Sequence, residues 1–134
     1  MQPISSCFLI DDDLDDQEIF KLAISDIEYP IVCMFARDGA EALQKLESLT
    51  KLPSIVFLDI NMPRMNGKIF LKLFKDDPRF MHIPVIIYST YFNKRIEQEM
   101  IELGADGYIE KPPSVKDLTQ KLQKIFIRML PIHY

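Results

Sequence analysis

Short apolar runs alternate with longer amphipathic segments along the chain, and this alternation is its most regular feature. The apolar runs cover residues 7–10, 31–35, 54–58, 85–88 and 107–109. Short continuous apolar runs are typical of parallel strands that are buried on both faces. The segments between them repeat apolar residues at three- and four-residue steps, which is typical of amphipathic helices. Five strand–helix units with short connections predict one parallel sheet covered by helices on both faces.

Local signals also predict where several of the helices begin and end. Asp15 or Asp16 is expected to cap the first helix, and Gly104 is expected to end the fourth. Ser114 and Asp117 have the spacing of a capping box before the fifth helix. The inward-facing positions expected in the five helices are, in chain order, Ile19, Phe20, Ala23, Ile24 and Ile27; Ala40, Leu43 and Leu46; Phe70, Leu71 and Phe74; Ile96, Met100 and Leu103; and Val115, Leu118, Leu122, Ile125 and Met129.

Polar residues stand where four of the five predicted strands end. Asp11 and Asp12 follow the first strand, and Asp59 follows the third. Ser89 ends the fourth strand, and Lys111 follows the fifth. Because ligands bind outside the carboxyl ends of the strands in open α/β sheets, we expect these side chains to share one edge. In a doubly wound sheet of order 2-1-3-4-5 the first and third strands are neighbours, which places Asp12 beside Asp59.

The carboxylates at this edge predict a cation site. Carboxylates that crowd together without a cation repel one another. Magnesium prefers one or two carboxylates together with water and phosphate oxygens. Asp12 and Asp59 are candidate direct ligands of Mg2+, with the backbone carbonyl of Asn61 as a third ligand and Asp11 holding a bound water.

Asp59 is also a candidate nucleophile, because a carboxylate can accept a phosphoryl group as an aspartyl phosphate. Lys111 would place a positive charge near the phosphoryl oxygens, and Ser89 would donate a hydrogen bond to one of them. Three further acids near the first strand end are interpreted as loop and cap residues: Asp13, Asp15 and Asp16.

Three segments match the signatures of a known family in order and spacing. They are FLIDDD at residues 8–13, LDINMPRMNG at 58–67 and GADGYIEKP at 104–112. On these segments the chain resembles the response-regulator receiver domain of two-component signalling, over residues 6–128. The acidic run at residues 11–16, followed by QEIF at 17–20, most resembles small stand-alone receivers, which implies a flavodoxin-like (βα)5 fold, a single domain over residues 1–134 and no output domain.

The resemblance assigns roles to the polar residues at the strand ends. It implies that Asp59 takes a phosphoryl group from a histidine kinase or phosphotransfer protein, as a signalling switch and not as a turnover enzyme. It implies that Asp11 and Asp12 hold Mg2+ and that Lys111 contacts the phosphoryl group.

The resemblance also implies how the signal leaves the domain. Ser89, where threonine is commoner, would form a switch with Tyr108. The switch would change the surface of the fourth helix, fifth strand and fifth helix, which an unknown downstream protein binds. In the family the bond after the site lysine is often cis, and here it is Lys111–Pro112.

Composition narrows the classes of partner. The net charge of −4 argues against nucleic acid. No apolar run approaches the ~20 residues that span a membrane, and the N-terminus lacks a signal peptide, so we expect a cytoplasmic protein without a membrane partner. Cys7 and Cys33 are interpreted as buried thiols in a reducing compartment. The sequence leaves open whether the chain is a monomer or a homodimer.

Three other classes of protein share part of the pattern. A haloacid-dehalogenase-like phosphatase would use residues 11–13 as its D-x-D motif, with Ser89 and Lys111 as phosphate binders. That class needs an acidic pair after the lysine, which is missing, and it gives Asp59 no role. An EF-hand needs glycine where Asp16 stands. An interaction module that is never phosphorylated would not need the acids and the lysine together.

Overall fold

The structure is a computed structural model, and it describes residues 5–28, 30–60, 65–90 and 93–129. Its elements are, in chain order, β1 (Ser5–Ile10), α1 (Leu14–Ser25), β2 (Ile31–Ala36), α2 (Gly39–Ser48), β3 (Ile55–Leu58), α3 (Gly67–Asp76), β4 (Val85–Ser89), α4 (Lys94–Glu102), β5 (Gly107–Glu110) and α5 (Val115–Met129). All paired strands are parallel and their order is β2-β1-β3-β4-β5. The predicted doubly wound sheet of order 2-1-3-4-5 is therefore confirmed.

The sheet has an apolar core on each face, because successive side chains of a strand point to opposite faces. In β1, Phe8 and Ile10 belong to the core under α2, α3 and α4. Cys7 and Leu9 belong to the core under α1 and α5. Every residue of β3 and β4 is buried, which explains why residues 55–58 and 85–88 are unbroken apolar runs in the sequence.

Asp13 caps α1, so the prediction of Asp15 or Asp16 was wrong. The Oδ1 atom of Asp13 accepts the backbone N–H groups of Asp15 at 2.9 Å and Asp16 at 3.3 Å. A capping side chain binds amides two or three residues after it, and α1 already begins at Leu14. Asp15 and Asp16 therefore lie in the first turn of the helix. Asp16 also accepts a hydrogen bond from Lys111, which belongs to the candidate site.

The signals for the later helix termini agree with the structure. Ser114 Oγ accepts the backbone N–H of Asp117 at 3.1 Å. Gly104 follows the end of α4 with φ at +111°, a left-handed conformation that glycine adopts without the penalty of a Cβ atom. Within the described ranges, none of the helices combines the length and the apolar character needed to cross a bilayer.

The predicted inward faces are largely confirmed, and the clear error is in α1. Ile19 is 37% exposed, although it was expected to face the core. The buried face of α1 includes Phe20 and Ile24, as expected, together with Gln17, which was not expected there. Gln17 can occupy a buried position because its Nε2 donates a hydrogen bond to the backbone carbonyl of Asp11 at 2.8 Å. This polar contact ties α1 to the end of β1.

The peptide bond between Lys111 and Pro112 is trans, since the described residues contain no cis bond. The expectation of a cis bond was therefore wrong. The trans form of an X–Pro bond is intrinsically the more stable by about 0.5–1 kcal/mol. Lys111 reaches its position at the end of β5 with this ordinary geometry.

Cys7 and Cys33 face each other across β1 and β2. They are paired in the strand register, and their Sγ atoms are 3.2 Å apart. Both are free thiols, and Cys7 is buried as expected, whereas Cys33 is only partly buried. Contact with Cys33 and burial together raise the pKa of the Cys7 thiol well above its ordinary value. Cys7 therefore behaves as an apolar packing residue of the core.

Candidate functional site

Hydrogen bonds to the neighbouring strands continue one residue beyond three of the strand ends. The backbone N–H of Asp11 donates to the carbonyl oxygen of Ala36 at 3.0 Å, and the N–H of Asp59 donates to the carbonyl oxygen of Ile10 at 2.9 Å. The N–H of Lys111 donates to Ser89 at 2.8 Å. These bonds hold the first residue after β1, β3 and β5 in the plane of the sheet. The polar side chains predicted for this edge are therefore placed together by the backbone.

Three carboxylates meet at this edge, as the strand order predicts. Oxygens of Asp11, Asp12 and Asp59 all lie within 4.8 Å of one another. Asp11 and Asp59 are buried, and Asp12 is exposed. Asp11 and Asp59 therefore form the inner wall of the cluster and Asp12 its solvent side.

The buried oxygens of Asp11 have different surroundings. Oδ1 accepts the backbone N–H of Asp13 at 3.0 Å. Oδ2 lies 2.8 Å from the Lys111 ammonium, but it accepts no well-directed hydrogen bond from the described residues. The ammonium compensates the charge of this buried oxygen, but its lone pairs remain available to a further partner. An all-oxygen group with such an atom fits a hard divalent cation, which binds carboxylates and water.

Burial raises the pKa of the Asp11 carboxyl to about 6, although contact with Lys111 and the Asp13 N–H act in the opposite direction. The negative charge of Asp59 adds to the rise. The charged form of Asp11 is thus less stable here than in water, which a bound cation would reverse.

Lys111 is the positive charge of the site, and three carboxylates surround it. Its Nζ atom lies 2.8 Å from Asp11 Oδ2, 2.8 Å from Asp16 Oδ2 and 3.5 Å from Asp59 Oδ2. The side chain is only 8% exposed, and the ammonium lies 5.1 Å from the centroid of the Tyr88 ring. Burial alone would lower the pKa of Lys111, but its contacts with Asp11 and Asp16 outweigh burial and raise it. Lys111 is therefore protonated and carries a positive charge.

Ser89 and Tyr108 lie on adjacent strands beside this cluster. Ser89 is buried at the end of β4, and Tyr108 is partly buried in β5. Burial raises the pKa of Tyr108, and interaction with the Ser89 hydroxyl opposes that rise. The structure thus brings together the two residues that the resemblance names as a switch.

The start of α3 packs directly on the backbone behind Asp59. A Cβ atom on Gly67 would lie 2.6 Å from the Cα of Ile60 and 2.8 Å from the carbonyl oxygen of Asp59. The N–H of Gly67 donates to the Ile60 carbonyl at 3.1 Å. Glycine is needed for this close approach, and it supports the position of Asp59.

One residue of the site was missed and one lies outside the described residues. Asp16 was interpreted as a loop or cap residue, yet it accepts a hydrogen bond from Lys111. Acids are common in the first turn of a helix because their negative charge interacts favourably with the positive end of the helix dipole. No sequence signal therefore distinguished Asp16 from an ordinary first-turn acid. The backbone carbonyl of Asn61, a candidate metal ligand, is not among the described residues.

Comparison with known proteins agrees with this geometry. The family model for the response regulator receiver domain matches residues 7–123. The chemotaxis protein CheY1 of Helicobacter pylori is 32% identical over 117 residues, which are 87% of this chain and 93% of CheY1. The sensor histidine kinase CheAY of the same species is 29% identical over 115 residues, 86% of this chain but only 14% of the kinase.

A solved structure shows the same fold over nearly the whole length. The phosphorylated cyanobacterial phytochrome response regulator RcpA has a TM-score of 0.87 and 26% identity, with 98% of each chain covered. The fold, the residues at the strand ends and the family match all agree. This chain belongs to the response-regulator receiver domain family of two-component signalling.

Proposed function

We propose that Asp59 accepts a phosphoryl group from a histidine kinase or phosphotransfer protein and thereby switches a partner-binding surface in a phosphorelay. Receiver domains are signalling modules that act with histidine kinases and downstream effectors, not turnover enzymes. The observation that carries the proposal is the placement of the Asp59 carboxylate within 4.8 Å of the Asp11 and Asp12 carboxylates and 3.5 Å from the Lys111 ammonium. The solved relative RcpA is itself a phosphorylated response regulator.

The chemistry is a transfer from nitrogen to oxygen. An Asp59 oxygen forms a bond to phosphorus, the P–N bond to the donor histidine breaks, and the imidazole takes a proton as it leaves. The product is an aspartyl phosphate. Lys111 supplies positive charge beside the phosphoryl oxygens, where charge stabilisation dominates catalysis of such transfers. Hydrolysis of the acyl phosphate resets the switch.

Asp11, Asp12 and Asp59 would hold a Mg2+ ion, with the Asn61 carbonyl as the further ligand expected from the sequence. Their all-oxygen donor set suits this cation. When bound, Mg2+ would offset the negative charge on the phosphoryl oxygens. The buried Oδ2 of Asp11, which accepts no well-directed hydrogen bond from the described residues, supports this assignment.

Ser89 and Tyr108 would couple the phosphoryl group to the surface. A hydrogen bond from Ser89 to a phosphoryl oxygen would draw the hydroxyl inward and let the Tyr108 ring follow. Tyr108 lines a groove of about 410 Å3 between β5 and α5, with Lys121, Lys124 and Arg128 among its other residues. A downstream protein that binds the α4, β5 and α5 face would therefore contact the switch residue directly.

Phosphorylation by acetyl phosphate with Mg2+, followed by intact-mass measurement, tests the proposal. One added phosphoryl group is expected, and it should be absent in Asp59→Asn. The exposed acid Asp76, at the end of α3, offers a control variant, Asp76→Asn, that should still be labelled. If Asp59→Asn is labelled and Asp11→Asn is not, the nucleophile is at the first strand end and the phosphatase alternative replaces our proposal.

A further inference from the structure

We propose that Asp16 is a positioning residue for phosphoryl transfer, which holds the Lys111 ammonium so that it faces Asp59. This inference rests on the function proposed above. It concerns a residue five positions after Asp11, on the first turn of α1 and not at a strand end.

The first argument is the geometry around the lysine. Lys111 Nζ donates a hydrogen bond to Asp16 Oδ2 at 2.8 Å. Its contact with Asp11 is equally short, but the Asp11 oxygen accepts no well-directed hydrogen bond from the part of the chain that the structure describes. An ammonium has three N–H donors. The bond to Asp16 thus fixes one donor direction, which limits the directions that the other two can take toward Asp11 and Asp59.

The second argument is that the helix does not need Asp16 as a cap. Asp13 caps α1 by accepting the N–H groups of both Asp15 and Asp16. Asp15 and Asp16 share the first turn, but Asp15 is exposed whereas the Asp16 side chain is only 24% exposed and is paired with Lys111. Dipole compensation would act on both acids alike, so it does not explain why one of them is turned toward the site.

The third argument is that Asp16 lies on an element fixed to the site. Gln17 Nε2 donates to the backbone carbonyl of Asp11 at 2.8 Å, and the N–H of Asp13 donates to Asp11 Oδ1 at 3.0 Å. These bonds tie the first turn of α1 to the end of β1. A lysine side chain is a flexible four-carbon stem, and a carboxylate on a fixed helix turn is a means of restricting it.

Phosphorylation strengthens the need for such an anchor. A phosphoryl group on Asp59 would bring its oxygens toward Lys111, which lies 3.5 Å from Asp59 Oδ2. With one N–H bonded to Asp16, the ammonium can turn another N–H to a phosphoryl oxygen without leaving its place. Asp16 therefore acts on the reaction through Lys111, without touching the reacting atoms.

The test compares Asp16→Asn with Asp15→Asn, which removes the same charge from the same helix turn. Single-turnover phosphorylation by acetyl phosphate at saturating Mg2+ should be about fivefold to tenfold slower in Asp16→Asn, because the reacting groups are less well positioned. Asp15→Asn should react at the wild-type rate. Asp16→Glu, which keeps the carboxylate, should recover part of the lost rate. Melting temperatures and Mg2+ affinity are measured for each variant: the rates are compared at a temperature where every variant is folded, and the Mg2+ concentration is set to saturate each one.

A double-mutant cycle shows whether the effect passes through the lysine. In a Lys111→Met background, Asp16→Asn should cause no further loss of rate, because a positioning residue has no effect without the group that it positions. If the two losses multiply, or if Asp16→Asn reacts as fast as Asp15→Asn, the inference is wrong. Asp16→Ser serves the same comparison should Asp16→Asn fail to fold.

The experiment also separates this inference from the function on which it rests. If wild-type protein takes up no phosphoryl group, both fail. If wild-type protein is labelled at Asp59 and Asp16→Asn behaves like its control, only the role of Asp16 is refuted.

Discussion

The ammonium of Lys111 lies 2.8 Å from the carboxylate of Asp11, although these residues follow strands that are not neighbours. β3 and β4 stand between β1 and β5 in the sheet. The long side chain of Lys111 therefore extends across the edge of the sheet to reach Asp11. It places one positive charge among several carboxylates. We therefore expect the stability of the protein to change with pH, with bound metal ions and with substitution of these residues.

We expect the stability of the metal-free protein to fall as Asp11 ionises. Its pKa is raised from 3.8 to about 6 in the folded state, so the folded protein binds this proton more tightly than the unfolded chain. The stabilisation is fully present below about pH 4 and is lost as pH rises through about 6. The loss amounts to at most about 3 kcal/mol.

Denaturant unfolding in chelator at about pH 4 and about pH 7 measures this effect. Because other groups also titrate, the relevant quantity is the stability difference between wild type and Asp11→Asn. Wild type should lose stability relative to the variant as pH rises. A difference that stays constant with pH would contradict the raised pKa of Asp11.

Asp12→Ala should abolish the response to magnesium without harming the metal-free fold. Asp12 is the exposed member of the carboxylate cluster, so its removal relieves repulsion and leaves no cavity. Its melting temperature in chelator should equal or exceed that of wild type. In wild type, Mg2+ at about ten times its Kd should add about 1.4 kcal/mol, or roughly 3–8 °C in melting temperature.

Asp15→Ala is the matched control for this experiment, because Asp15 is an exposed acid of the same loop–helix region outside the cluster. It should keep the full magnesium response. A wild-type melting temperature that ignores magnesium, or an Asp12→Ala protein that still responds, would show that the three acids bind no cation.

Ser89→Ala should still be phosphorylated but should lose most of the conformational change. The variant keeps Asp59 and Lys111 but removes the hydroxyl that interacts with Tyr108. NMR spectra of the Tyr108 region before and after phosphorylation measure the change. Thr90→Ala removes the exposed hydroxyl of the next residue and should switch normally. Equal spectral changes in Ser89→Ala and wild type would refute the coupling.

Gly67→Ala should destabilise the protein and slow phosphorylation, because the new methyl group would collide with the backbone of Ile60 and Asp59. Overpacking of this kind costs about 1–3 kcal/mol. Gly39→Ala is a suitable comparison, since the atoms nearest its Cβ belong to the flexible side chain of Met65, at 2.9 Å, and not to the backbone. Denaturant unfolding should therefore show a smaller loss for Gly39→Ala. Equal losses would mean that the approach of α3 to Asp59 is not tight.

The strand–helix order and most of the polar edge could be predicted from the sequence, because both follow from local rules. Side-chain alternation and helical periodicity locate buried strands and helix faces. Parallel strands all end at one edge, so the residues after them must meet there. For this reason the sequence was sufficient to predict that Asp11, Asp12, Asp59 and Lys111 form one cluster.

The remaining features depend on contacts between residues that are distant in the chain. Asp16 and Lys111 are separated by 95 positions, and nothing near Asp16 distinguishes it from Asp15. Whether a helix acid faces solvent or the site depends on how α1 packs against the sheet. Burial of Gln17 and exposure of Ile19 follow from the same packing. Local patterns predict which residues lie at the edge of the sheet. Which charged groups pair there depends on how the packed helices are rotated, and only the folded chain defines that rotation.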